Sequence, residues 1–135
     1  MTEGLPRDLY PAGPVPALPR VLYLAGPMTG LPEFNYPAFN VAAGKLRAAG
    51  FEVLNPAENK PDNPDWVGYM RASIGQLIRA DAVAVLPGFA DSRGARIETK
   101  LAVELEMTIR PVRAWLTEAG QVAYMGRLLG EESAR

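Results

Sequence analysis

The sequence predicts a three-layer α/β sandwich on a mainly parallel sheet of four to five strands, and three observations predict it. Short apolar runs alternate with helix-period segments from Arg20 onward. Ala82-Val83-Ala84-Val85-Leu86 is a continuous apolar run, the pattern of a strand buried on both faces of a parallel sheet. Two of the runs end in Gly/Pro-broken loops that open helices: Val21–Ala25 into Gly26-Pro27-Met28-Thr29-Gly30, and 82–86 into Pro87-Gly88-Phe89-Ala90-Asp91. With right-handed crossovers, both loops fall at the carboxyl-end edge of the sheet, where ligands bind in such folds.

The elements follow in order. Residues 1–19 hold five of the 13 prolines and read as an extended arm, because proline blocks both helix and ladder pairing; the α/β domain is expected over 20–135. Val21–Ala25 is a buried strand. A helix is expected over 36–49, with Phe39, Ala42, Ala43, Leu46 and Ala49 at three- and four-residue spacing and Gly50 as its stop. Residues 51–54 form a second strand, and 55–63 a loop rich in Pro, Asn and charge. Asp65 is placed to cap a helix over 66–80 that turns Met70, Ile74, Leu77 and Ile78 inward. The third strand is 82–86, and Asp91 or Ser92 caps a helix running to about 108. A fourth strand is expected over 111–116 and a terminal helix over 118–129.

Composition narrows the chemistry. At 135 residues and 48% hydrophobic content the chain can bury a core without staples. Cysteine and histidine are absent, which removes disulfides, thiol nucleophiles, the commonest metal ligands and the usual near-neutral acid/base. Reactive groups must be carboxylates, Tyr, Ser/Thr, Lys or Arg. With 14 basic against 15 acidic residues there is no footprint for duplex nucleic acid, so a small-molecule partner is expected. No apolar run approaches membrane length and the first 19 residues lack signal-peptide features, so the expected location is the cytoplasm, away from membranes.

Within those limits Glu98 stands out. On a helix from Ser92, the residues Ala95, Glu98, Leu101, Ala102 and Leu105 share one face, which puts a carboxylate on the core-facing stripe between two small alanines. It is either a structural partner of Arg71, Arg79 or Arg96, or a functional group kept ionised by its place near a helix start. Ser92-Arg93-Gly94 offers a hydroxyl, a guanidinium and an open backbone N–H at a helix N-terminus, which serves either as an anion site or as ordinary capping. Tyr23 in the first strand is either a wall or a catalytic residue. Gly26 and Gly30 bracket Pro27-Met28-Thr29 without the Gly-x-Gly-x-x-Gly spacing of a dinucleotide site and without a P-loop lysine. Phe34, Tyr36 and Phe39 follow, placed to stack on a base or to cover the core.

Taken together, Tyr23 to Gly30, Phe34 to Asn40, Val53-Leu54-Asn55-Pro56-Ala57-Glu58 and the stretch from Asp81 to Glu98 resemble the DUF4406 family, a group common in phages and prophages within the nucleoside 2-deoxyribosyltransferase-like superfamily. The resemblance covers about residues 20–115. It implies a flavodoxin-like sandwich, no cofactor or metal, and N-glycosidic bond cleavage or transfer on a nucleoside or its 5′-monophosphate. By the same resemblance Glu98 is the nucleophile, Tyr23 positions it, and Ser92 binds a 5′-phosphate with Arg93 and Gly94 beside it. Gly26, Pro27, Met28 and Gly30 wall the sugar, and a homodimer is expected. One position departs from the pattern. Superfamily enzymes carry an aspartate eight residues ahead of the acid before the third strand, and counting back from Asp81 reaches Ser73. Serine cannot protonate a leaving base. Asp62 and Asp65 are the candidate acids to replace it; otherwise the leaving group needs no help, or the chain is a nucleotide-binding or sequestering module with weak turnover.

Overall fold

The computed structural model describes residues 18–128. Along them, strands β1 (Val21–Ala25), β2 (Glu52–Leu54), β3 (Ala82–Val85) and β4 (Thr108–Pro111) alternate with helices α1 (Tyr36–Ala48), α2 (Trp66–Leu77), α3 (Arg93–Glu104) and α4 (Val112–Leu128). The strands form one parallel sheet in the order β2-β1-β3-β4. The chain leaves β1 toward one side and returns as β3 on the other, so the order reverses between β1 and β3. That reversal is the topological switch point of a flavodoxin-like α/β fold.

The core follows from strand alternation. Tyr23, Ala25, Val83 and Val85 pack with Leu77 of α2 and Ala102 of α3 on one face of the sheet. Leu22, Leu24, Ala82 and Ala84 point to the other, and α1 buries Phe39, Ala42, Ala43 and Leu46. Two compact units are present. Pro19–Leu116 contains the sheet, α1 to α3 and the first turn of α4; of the other, made of the two chain ends, residues 117–128 are helical. The proline-rich arm lies outside the described residues, apart from Leu18 and Pro19.

Helix ends show where sequence and structure part. α1 stops as expected at Gly50, whose φ of 106° lets its N–H reach Arg47 O while Phe51 N–H reaches Leu46 O. α3 ends at Glu104, not near 108, through the same pair of bonds: Glu106 N–H to Val103 O and Met107 N–H to Ala102 O. Here the left-handed position is held by Glu106, φ 58°, a residue that gives no such signal in the sequence. The earlier stop moves the fourth strand forward to Thr108–Pro111, and α4 begins at Val112 instead of 118. Pro111 closes the edge strand, where its missing N–H costs no ladder bond. Trp115, expected in a strand, lies in the first turn of α4, buried, with its indole N–H donating to Val83 O at 2.9 Å. α2 is also shorter than expected, and Ile78, expected inward, is 61% exposed. Its inward side runs instead through Trp66, Met70, Ser73 and Leu77, an i, i+4, i+7, i+11 stripe that a serine interrupts.

Candidate active site

β1 and β3 deliver their loops side by side. Leu86 N–H donates to Ala25 O at 2.9 Å, and a Cβ on Gly26 would come within 2.9 Å of Leu86 Cβ, so the first loop needs glycine there to leave the sheet. Beyond this point opens a cavity of about 1140 Å³. Tyr23 and Glu98 lie on its floor. Gly26, Pro27 and Met28 line one side, and Ser92, Arg93 and Gly94 from the start of α3 line another.

Tyr23, fully buried on β1, donates its hydroxyl to Glu98 Oε2 at 2.8 Å. Glu98 is 6% exposed, and among the described residues it has no arginine partner: Arg79 bonds Gly75 O and Arg96 bonds Ala90 O. The structural ion pair is therefore not formed. Burial pushes the Glu98 carboxyl up to about 7, while the Tyr23 hydrogen bond works the other way. Burial thus works against the helix start, which favours the ionised form, and brings the carboxyl's titration up toward neutral pH. Burial, and then the neighbouring Glu98, push the Tyr23 phenol well above its usual range, and the Ser73 hydroxyl opposes that shift.

Ser92 is the cap of α3, its Oγ accepting from Ala95 N–H at 3.2 Å. The bond uses an oxygen lone pair and leaves the O–H proton for a ligand. The aromatic wall comes from two helix starts. Phe34 and Tyr36 lie with ring centroids 6.1 Å apart, and Trp66 and Tyr69 face the same space from α2. Phe34 belongs to a run of three residues, Glu33, Phe34 and Asn35, with φ of 53°, 52° and 60°. Left-handed backbone costs a non-glycine residue roughly 1–2 kcal/mol, and the Asn35 side chain steadies the run by donating to Pro27 O at 3.0 Å.

The expected site residues do not all arrive. Gly30, φ 85°, turns the loop but does not line the cavity. Asp62 does not line it either, and Asp65 is occupied as the cap of α2, accepting from Gly68 N–H at 2.7 Å. Neither candidate acid is thus at hand. The carboxylates lining the cavity are Glu98 and Asp91, and Asp91, expected only as a possible cap, is exposed at the rim. Ser73 is buried and lines the cavity, in the place the missing aspartate is expected to face. Trp66 and Tyr69 are missed by the sequence reading; the i, i+4, i+7 spacing of Trp66, Met70 and Ser73 is the signal that points to Trp66, and Tyr69, at i+3, shares its side of the helix. Among the described residues no cluster of three or more carboxylates is placed for a metal ion.

A family model, the domain of unknown function DUF4406, matches residues 20–110. The chain belongs to the DUF4406 family. The DUF4406 match runs from the residue before β1 to within β4 and encloses every residue named around the cavity. The comparison with curated proteins found no match. Among the described residues no helix is long and apolar enough to cross a membrane.

Proposed function

We propose that this DUF4406 chain cleaves or transfers the N-glycosidic bond of a 2-deoxyribonucleoside or its 5′-monophosphate by retaining double displacement. The observation that carries the proposal is the buried Tyr23–Glu98 hydrogen bond on the floor of an aromatic-walled cavity at the switch point. Tyr23 occupies Oε2, which leaves Oε1 free to attack C1′ of the sugar. As the C1′–O bond forms, the C1′–N bond breaks, its electron pair leaves with the base, and the base takes a proton from water. Water or a second base then attacks C1′, gives up a proton, and releases Glu98 as the carboxylate. Two inversions at one carbon retain configuration, and each step is easier than a direct displacement.

The chain's own residues supply the rest. Tyr23 fixes the nucleophile's rotamer and stabilises its ionised form. Ser92, Arg93 and the backbone N–H groups opening α3 hold a 5′-phosphate, and Gly26 to Met28 wall the sugar. The resemblance adds a homodimer to the proposal. A second reading, a nucleotide-binding or sequestering module with weak turnover, is favoured by Ser73 standing in the cavity where an acid would serve the leaving base.

The test is a panel of nucleosides and 5′-monophosphates, with and without an acceptor base, followed by chromatography for released base. Saturable release supports the enzyme. Saturable binding without release supports the module, and no release with no nucleotide-dependent thermal shift overturns both.

A further inference from the structure

The rim of the cavity carries a contact that the bond-breaking chemistry does not use. Trp66 is the first residue of α2 and Arg93 the first of α3, and the Arg93 guanidinium carbon lies 3.9 Å from the centroid of the Trp66 ring. Both residues line the cavity, Trp66 half-buried and Arg93 exposed. Beneath the contact the two helices are pressed together: a Cβ on Gly94 would come within 3.0 Å of Met70 Sδ. Among the described residues Arg93 has no carboxylate partner, so the stack is what holds it.

A guanidinium stacked on an indole has one face covered and keeps its N–H donors in the open plane, a fork that fits two oxygens of a phosphate at once. Glu98 lies five positions further along α3 than Arg93, about 7.5 Å of helix rise. The fork therefore stands at the exposed rim, while the proposed reacting carboxylate stays on the buried floor. Asp91 lines the same rim. An anion that enters without an oriented guanidinium meets a like charge, so selectivity here depends on the direction of the fork and not on a diffuse positive field.

We propose that Trp66 is a positioning residue that turns Arg93 into a directional clamp for a dianionic phosphate, and that the pair sets preference for 5′-monophosphates over uncharged nucleosides. The inference rests on the nucleotide reading above. Its test uses the full chain carrying Glu98→Gln, which binds without turning over, titrated by calorimetry with a 2-deoxyribonucleoside 5′-monophosphate and with the matching nucleoside. Trp66→Ala weakens the monophosphate by about tenfold more than it weakens the nucleoside, because any lost wall contact is common to both ligands and the oriented ionic contact is not. Trp66→Phe, which keeps a ring under the guanidinium, restores most of the difference. Arg93→Lys, which keeps the charge and loses the fork, does not. Equal losses for both ligands in Trp66→Ala, or wild-type monophosphate binding in Arg93→Lys, overturn the clamp while leaving the nucleotide reading intact. Failure of both ligands to bind before any rim substitution overturns the nucleotide reading itself. Should Trp66→Ala lose its fold, Arg93→Met, at an exposed position, carries the same comparison: a selective monophosphate loss supports the clamp and an equal loss overturns it.

Discussion

β1 hands one hydrogen bond to a carboxylate at its first residue and another at its middle residue, and the two carboxylates differ in almost everything else. At the amino end, exposed Asp81 accepts from Val21 N–H at 2.9 Å. At the middle, buried Glu98 accepts from the Tyr23 hydroxyl at 2.8 Å. The bonds are nearly equal in length; access to water is not. An exposed carboxylate keeps its hydration and its bond simply tethers a strand. A buried one with a single donor loses more solvation than one hydrogen bond returns, and the Glu98 carboxyl rises to about 7. On the proposed function, the reactivity of Glu98 would come from what the fold withholds from it, and the switch point, where loops replace sheet, is where such a group can still meet a ligand.

The largest effect that separates the two carboxylates is catalytic. Glu98→Ala removes the nucleophile and lowers base release by on the order of 10⁴-fold or more in a folded protein. A 2-fluoro-substituted nucleoside, which slows the second displacement, leaves a sugar-sized mass on the peptide containing Glu98. Activity within a few-fold of wild type in the folded variant overturns the assignment.

Next comes the acid that the floor lacks. Ser73→Asp places a carboxyl beside Tyr23 and close to Glu98, where burial and a like charge both favour the protonated form a general acid needs. Turnover on purine or cytosine substrates rises by on the order of 10²–10⁴ at the variant's own pH optimum. A substrate with a good leaving group, such as a p-nitrophenyl 2-deoxyriboside, gains much less. A folded, nucleotide-binding variant with an unchanged rate shows that the leaving base does not depend on this position, and Asp91 at the rim is then the next residue to replace.

The two sites were not equally legible in the sequence. Asp81 before the third strand and Glu98 on its helix stripe both follow from periodicity, because strand and helix repeats locate residues that lie inside regular elements. Tyr23 and Glu98 are 75 residues apart, and only the sheet order, which periodicity does not encode, turns their separate placement into a bond. Helix ends divide in the same way. Gly50 announces its left-handed turn, whereas Glu106 adopts one as part of the bonds that close α3 ahead of β4, with no residue type that signals it. The run from Glu33 to Asn35 is the extreme case: Asn35 tolerates that conformation, but Glu33 and Phe34, which do not favour it, are held in it as well beside the cavity. Asp65 failed as a candidate acid for a reason that was legible, since the cap it forms on α2 engages the carboxylate.

The comparison also has a signature in stability that requires no substrate. The unfolded Glu98 ionises near 4.5 and the folded one near 7, so the penalty for burying its charge disappears below about pH 4.5, where both states become protonated. Between those values the unfolded chain ionises first, and the folded state loses stability as pH rises, by a full amount of about 3 kcal/mol above the folded value. Glu98→Gln stays neutral and can still accept from Tyr23. Urea unfolding therefore finds the variant close to wild type at pH 4.5 and more stable by about 3 kcal/mol at pH 8. A difference that does not change with pH removes burial as the source of the Glu98 shift.

The smallest effect belongs to the other carboxylate. Asp81→Ala deletes the acceptor for Val21 N–H, but that N–H is exposed and water replaces the lost oxygen, so the cost is about 0.5–1.5 kcal/mol. Asp81 lies at the amino edge of the sheet, the length of β1 away from Gly26, at about 3.3 Å per residue. Its loss leaves the Tyr23–Glu98 bond in place, and with it the pH dependence of both base release and the Glu98→Gln stability gain. The double variant Asp81→Ala/Glu98→Gln then shows the sum of the two single effects, as expected of sites that share no partner. Coupling beyond about 0.5 kcal/mol in that cycle, or a shifted pH–rate profile in Asp81→Ala alone, means that β1 transmits strain from one site to the other and that the two carboxylates do not act independently.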